Sequence, residues 1–356
     1  MLRSHAHRMS GLSLIELMIS LVISSVLIAG AVLVYSQSRT TYSTNEAAAR
    51  LQEEARYVFS VMEPDLQLAG YFGYSNAPQD FSFWNAGTVT PVSQLQQLAG
   101  DTALASLPAS ATKCGKNFAV DLLATVEGSD NAMTLPAACR AAGVVYRPAT
   151  DVLTIRRADV NDAPAASSGK IQLLVNRMKR TNQRIFISSA SPETLDPDVN
   201  ALRDLIVRTY YVANGAGNLP TLRVVALRDG ATPTFEDTEL MPGIEDLQVQ
   251  FGLDTGDYDG NGTIDPDQDQ NGDGLPDSPN GIATRYIDPS RASVAAFAGL
   301  QVVSVRVWLL VRAERPEIGF ANIEKYEYAG KVYEPKDNIR RTLVSRTIQL
   351  RNARTL

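Results

Sequence analysis

The feature that most constrains this chain is an apolar run near its N-terminus. From Leu12 to Tyr35 it reads LSLIELMISLVISSVLIAGAVLVY, with a single charge at Glu16. As a helix, at ~1.5 Å per residue, it is about 36 Å long. That length spans a bilayer core of roughly 30 Å. The segment before it, MLRSHAHRMSG, is short, basic and polar, and ends in Gly11. An ordinary secretory signal places a shorter apolar region ahead of a small-residue cleavage site. Here the order is reversed, so cleavage after Gly11 would leave the apolar helix on the mature chain. Glu16 adds a second constraint. A carboxylate inside an apolar membrane helix costs about 2.5–3.5 kcal/mol on insertion scales, and such groups are normally paired.

Gly11, Leu12 and Glu16 together resemble the type IV prepilin signal. The resemblance implies that a dedicated peptidase cuts after Gly11 and N-methylates Leu12. It also implies that Glu16, as the fifth mature residue, pairs with the amino terminus of a neighbouring subunit during assembly. The family usually begins with Phe where this chain has Leu12. The plainer alternative is a signal anchor with an interfacial Glu.

Composition narrows the chemistry. The chain has two His, His5 and His7, and both lie ahead of Gly11. The mature chain would therefore hold none, which excludes Ser-His-Asp and Cys-His machinery and His-ligated zinc or iron. Loss of Arg3 and Arg8 with the leader takes the net charge from −6 to −8. That acidity argues against nucleic acid as the main partner. No P-loop, G-x-G-x-x-G or G-x-S-x-G pattern is present. An enzyme is the weakest reading, and no catalytic residue or organic cofactor is expected.

A second helical pattern follows the apolar run. Thr44, Ala48, Leu51, Ala55, Val58, Met62 and Leu66 recur at steps of three and four, marking one face. Glu46, Arg50, Glu53, Glu54 and Arg56 lie off it. One long helix is expected, apolar over 12–35 and amphipathic over 36–74. Pro64 should disturb it, and Gly70 and Gly73 should end it. Tyr57, Phe59, Tyr71, Phe72 and Tyr74 read as an aromatic cluster around the helix end. Trp84 and Trp308 read as core or interface residues rather than ligand platforms.

Residues 75–150 are punctuated by Pro and small residues and read as a loop-rich insertion with short elements. Strand signals follow in DVLTIRRA, at 185–187, and in LIVRTYYV and 222–227 across a Gly/Asn turn, a hairpin pattern. Leu247, Val249, Phe251 and Leu253 alternate, as do Val303, Val305, Val307, Leu309 and Val311, with Arg306 and Arg312 opposite; Thr342–Leu350 is a last strand. The fold class is α+β: a long helix packed on an antiparallel sheet. The head is expected over 75–356, after a leader at 1–11. Cys114 and Cys139 form an even pair in an exported domain, which favours a disulfide worth ~2–4 kcal/mol. Two free thiols or a redox pair are the alternatives.

Residues 254–277 read DTGDYDGNGTIDPDQDQNGDGLPD. Two D-x-[DN]-x-[DN]-G-x-x-D patterns lie in register. The first uses Asp257, Asp259, Asn261 and Asp265, with Gly262 at the turn. The second uses Asp269, Asn271, Asp273 and Asp277, with Gly274. Thr263 and Leu275 would contribute backbone carbonyls. Calcium takes six to eight hard oxygens around such a turn, so these loops resemble those of EF-hands, dockerins and thrombospondin-type repeats. Gln268 and Asn280 stand where an EF-hand has its bidentate Glu, so a structural Ca2+ site is expected rather than a sensor. The alternative is a solvated acidic loop.

LQEEARYVFSVMEPDLQLAGYFGY, DVLTIRRA, GIEDLQVQFGLD, VVSVRVWLLVRAERPE and RRTLVSRTIQL resemble the PilW-type minor pilins. Members often carry Cys where Tyr74 stands. The resemblance implies a type IV pilin-like fold and a minor pilin that acts with other minor pilins and the major pilin. It implies pilus initiation, a tip complex supporting a PilY-type adhesin, twitching motility, attachment and DNA uptake. Processing by prepilin peptidase would precede a passage from the inner membrane to the pilus tip. The J-type minor pseudopilin of type II secretion shares the signal. A membrane-anchored calcium-dependent binding module is a reading of a different class.

Overall fold

The computed structural model describes residues 13–75, 77–85, 87–95, 107–254, 281–290, 301–317 and 319–352. The chain divides into two compact units, Met1–Arg50 and Leu51–Leu356. One helix, α1 (Leu14–Gln67), begins in the first and ends in the second.

In the first unit the apolar side chains stay uncovered. Leu14, Ile19, Leu27 and Leu33 are each more than half exposed. A helix apolar all round requires an apolar surrounding that this unit does not itself supply. In the second unit the amphipathic stripe behaves as expected. Leu51, Ala55, Val58, Met62 and Leu66 are buried, together with Phe59. Each large one contributes roughly 1.5–3 kcal/mol by leaving water.

The helix stops at Gln67, short of the expected 74. Pro64 does not break it. Pro64 and Ser60 both lie on the exposed face, so the carbonyl that the proline leaves without an amide partner meets water. Gly70 then takes φ +73°, and a Cβ there would lie 3.2 Å from the Asn352 carbonyl. A left-handed residue in a crowded place is what glycine supplies.

Ten strands form the larger sheet: β1 (Phe81–Asn85), β2 (Thr88–Pro91), β3 (Val126–Ser129), β4 (Val145–Tyr146), β5 (Val152–Ala158), β6 (Gln172–Asn176), β7 (Gln183–Phe186), β8 (Asn200–Asn214), β9 (Pro220–Arg228) and β10 (Thr234–Pro242). Strand β8 is its spine. It pairs with β6 over 200–204, β5 over 205–211 and β9 over 208–214. The β8–β9 hairpin is the one expected from the Gly/Asn turn. A second sheet has the order β12 (Arg285–Ile287), β11 (Ile244–Asp254), β13 (Gln301–Arg312), β16 (Arg341–Gln349). A small hairpin joins β14 (Tyr326–Tyr328) to β15 (Lys331–Tyr333).

The single antiparallel sheet expected from the sequence is thus several sheets, and β1 runs parallel to β7. The reason lies in the cores. The α1 stripe packs with Leu153, Tyr210 and Val224 of the larger sheet and with Leu247, Val305 and Leu309 of the four-stranded sheet. The opposite face of the larger sheet, including Val152, Val207 and Val225, is covered by Leu107, Val120, Leu122 and Leu135. Strand β5 is consequently buried at every position. The 75–150 segment does contain short elements among loops, as expected, and it also supplies a core.

The aromatic cluster is split rather than joined. Phe59 lies in the helix core and Phe72 in the second core, while Tyr57 and Tyr74 stay about half exposed. Trp84 packs edge-on against Phe186, and Trp308 against Leu310 and its neighbours.

Candidate assembly segment and buried charge clusters

Gly11 and Leu12 lie outside the described residues. Glu16 sits in the first turn of α1 with its side chain exposed, and Ser13 N–H donates to its Oε2 at 3.4 Å. A lone carboxylate on an otherwise apolar helical surface is therefore presented outward, available to a cation on another chain.

Cys114 and Cys139 are joined in a disulfide, with Cα atoms 4.7 Å apart. Both are buried in the second core. Each side of the bridge is separately tied to β10 or its approach. Ser110 Oγ donates to the Pro233 carbonyl at 2.6 Å, and Ala141 N–H to Asp237 Oδ2 at 2.7 Å.

The expected calcium ligands Asp257, Asp259, Asn261, Thr263, Asp265, Asp269, Asn271, Asp273, Leu275 and Asp277 all lie outside the described residues. Their flanks are described. Asp254 closes β11, and its Oδ2 accepts the Gly281 N–H at 2.8 Å. Thr284 N–H donates to the Leu253 carbonyl at 2.9 Å, and β12 then pairs with β11. The insertion therefore leaves and rejoins the sheet at one place. Among the described residues no group of three or more His, Cys, Asp or Glu is placed to hold a metal ion.

Two charge clusters were not legible as sites. Asp65 lies on the buried side of α1. Its Oδ1 accepts from Arg157 Nε at 3.0 Å and Nη2 at 2.8 Å. Its Oδ2 accepts from Arg208 Nη1 at 2.6 Å and the Tyr210 hydroxyl at 2.8 Å. Burial, reinforced by Asp65, pushes the Tyr210 hydroxyl far up from its usual pKa. The one sequence signal was an acid one step from the apolar stripe.

The second cluster comes from a bulge. The β11–β13 register slips between Ile244 and Asp246. Strand residues ordinarily alternate between faces, and a bulge re-aims one of them. Consecutive acids Glu245 and Asp246 thus both meet the β14–β15 hairpin. Tyr333 Oη donates to Glu245 at 3.1 Å, while Tyr328 Oη and Lys331 Nζ donate to Asp246, each at 2.7 Å. Arg341 and Arg147 also pair with Glu245. All of these groups except Arg341 line a cleft of about 170 Å³. Its acids and bases neutralise one another, so the arrangement is a structural seam between β11 and the hairpin.

Asp151 adjoins this seam. It accepts N–H bonds from Asn131 and Val249, both 2.8 Å, so it stitches the two sheets together. Burial raises its carboxyl to about 7, with Asp130 and Asp246 adding to the rise against the two N–H bonds. The folded chain therefore holds this proton where the unfolded chain releases it. The stabilisation is complete below the unfolded pKa near 3.8 and is lost as pH rises toward 7. One proton corresponds to at most about 1.4 kcal/mol per pH unit. We expect Asp151→Asn to remove that part of the slope between pH 4 and 7. Denaturant midpoints across this window check it; parallel profiles for the two proteins would refute it.

Comparison with known families agrees with this architecture. Residues 7–32 match the prokaryotic N-terminal methylation motif, which covers Gly11, Leu12, Glu16 and the apolar half of α1. The motif and the apolar helix point to an inner-membrane-anchored pilin of the type IV class. Residues 209–352, from within β8 to beyond β16, match the family of type IV pilus-assembly protein W. Together the two matches support a PilW-type type IV pilin, a structural class rather than an enzyme family. No curated protein and no solved structure matches the chain significantly.

Proposed function

We propose that this chain is a minor pilin that, with other minor pilins, initiates type IV pilus assembly and forms the tip complex supporting twitching motility and adhesion. The observation that carries the proposal is the uncovered apolar helix with Glu16 exposed in its first turn. Once cleaved after Gly11, the chain would begin at Leu12. The Glu16 carboxylate of one subunit would then pair with the terminal amine of the next, in an apolar medium where an unpaired charge is costly. The head supports a minor role. At about 280 residues it exceeds the common domain size of ~100–150, and a bulky head fits a tip, where only one side accepts another subunit. Prepilin peptidase, the major pilin and a PilY-type tip adhesin are the partners this reading assigns.

Glu16→Ala tests it. The variant should reach the inner membrane in normal amount and fail to enter sheared pili or to co-purify with other minor pilins. Undiminished incorporation would sink the proposal and favour a simple anchor.

We also propose that the 257–277 segment binds structural calcium. The two in-register Asp/Asn/Gly patterns support this, as does the closed entry between Asp254 and Gly281. At a free calcium tenfold above Kd, each site would add about 1.4 kcal/mol. Melting temperature should fall, and cleavage within the segment rise, when chelator replaces calcium. Identical melts and digests would remove the claim.

A further inference from the structure

A sheet edge carries unpaired N–H and C=O groups, and folded proteins blunt it with short strands, proline, lysine, bulges or a covering segment. Most edges of the head follow this rule. Strands β2, β3, β4 and β12 have four residues or fewer. Strand β10 slips register between Glu239 and Met241 and ends at Pro242. The Ser110 and Ala141 bonds also tie β10 or its approach to the segment around the disulfide. Strand β16 departs from the rule. Its nine residues, RTLVSRTIQ, include no Pro and no Lys, and they pair with β13 without a register shift.

That pairing uses only half of the β16 backbone. Leu350 N–H donates to the Val303 carbonyl and Ala313 N–H to the Arg340 carbonyl, both at 2.9 Å. Antiparallel ladders alternate, so the even-numbered residues of β16 bond to β13 and the odd-numbered ones turn their N–H and C=O groups away. Arg351 continues the outward set, and its N–H meets the Gln67 carbonyl at the end of α1 at 3.2 Å. Ahead of it, Leu343, Ser345, Thr347 and Gln349 pair with no other backbone among the described residues. Ser345, Thr347 and Gln349 are exposed. Ser345 and Thr347 have short side chains, which let another backbone approach.

We propose that this edge takes up an extended strand from the head of a different minor pilin, continuing the four-stranded sheet across the subunit boundary. The proposal rests on the minor-pilin reading above and names the surface through which that reading would act. Strand addition draws affinity from main-chain hydrogen bonds, and the alternating side chains of the added strand set specificity. A second copy of this chain fits the edge less well. Antiparallel pairing of two β16 edges places a twofold axis along the sheet normal. The α1 residues from Leu51 to Leu66 pack against that sheet, so the axis reverses them in one copy. Subunits anchored by their N-termini in one membrane carry α1 in one sense.

The test uses the full chain in non-ionic detergent, alone and co-purified with the other minor pilins. Residue-resolved hydrogen exchange should find the amides of Leu343, Ser345, Thr347 and Gln349 fast in the isolated chain and slowed at least about tenfold in the complex. The even-numbered amides, already in the ladder, should change little. Thr347→Lys adds a charge of the kind that blunts edges, and Ser345→Pro removes an outward N–H that β13 does not use. Each should cut co-purification at least about tenfold, with an unchanged melt to confirm folding. Equal exchange of the four amides in free and bound chain overturns the proposal. So does full co-purification of both variants. Protection present in the isolated chain and lost on dilution marks self-pairing and overturns it as well. Where Glu16→Ala still blocks incorporation, these results leave the pilin reading standing; a wild-type chain that co-purifies with no minor pilin removes both.

Discussion

Asp65→Ala will cost the head about 3–5 kcal/mol, the usual range for removing one partner of a buried ion pair. The side chain is 2% accessible and answers two guanidiniums and a phenol. Without it, Arg157 keeps a charge in a strand buried at every position. The bonds it makes join the last turn of α1 to β5 and β8, so their loss loosens the helix from the sheet. Urea denaturation followed by the fluorescence of Trp84 and Trp308 would read the change as a lower midpoint. A triple replacement, Asp65→Leu with Arg157→Met and Arg208→Met, should recover most of the loss, because an apolar cluster avoids the desolvation cost. A midpoint within experimental error of the wild type in the single variant would show that the cluster contributes no stability.

The second large effect is at the disulfide. Cys114 and Cys139 close a loop of sequence separation 25. Chain entropy assigns such a loop about 3.5 kcal/mol. The segment it closes lends Leu122 and Leu135 to the second core, so its loosening uncovers one face of the larger sheet. Cys114→Ser/Cys139→Ser should lower the denaturation midpoint by an equivalent amount and open residues 107–146 to protease. Coincident midpoints for oxidised and reduced protein would contradict this.

Residues with a strong period were legible. The helix stripe from Leu51 to Leu66, the alternation in β11 and β13, and the β8–β9 hairpin all stand where the pattern placed them. Local periodicity reports which face carries the large apolar side chains, and it did so even in β11, where nearly every position is buried. Strand β5 stands where DVLTIRRA placed it, but its burial on both faces was not legible. Val152 and Leu153 are neighbours that enter different cores, and a strand buried on both faces shows no alternation to count. The helix passes Pro64, because a proline on the exposed side costs little there, and ends at Gln67 just ahead of the left-handed Gly70 rather than at 74.

The charged residues divide in the same way. Glu16 and the Cys pair carried their own signals, one an acid in an apolar run, the other an even pair in an exported domain. Asp65 carried almost none. Its partners Arg157 and Arg208 are 92 and 143 residues away along the chain, and only folding brings them within 3 Å. Glu245 and Asp246 became a pair through a bulge that no propensity marks.

The sequence by itself therefore determined the apolar run, the helix and the strand-rich head, because these rest on local runs and periods, while the pilin class rested on the resemblance carried by Gly11, Leu12 and Glu16. The tertiary structure decided that the larger sheet is covered by a core on each face and that Asp65 and Asp151 are stitches between distant segments. Those depend on contacts between distant segments, whose energies come from burial and charge pairing that exist only once the sheets have closed over the helix.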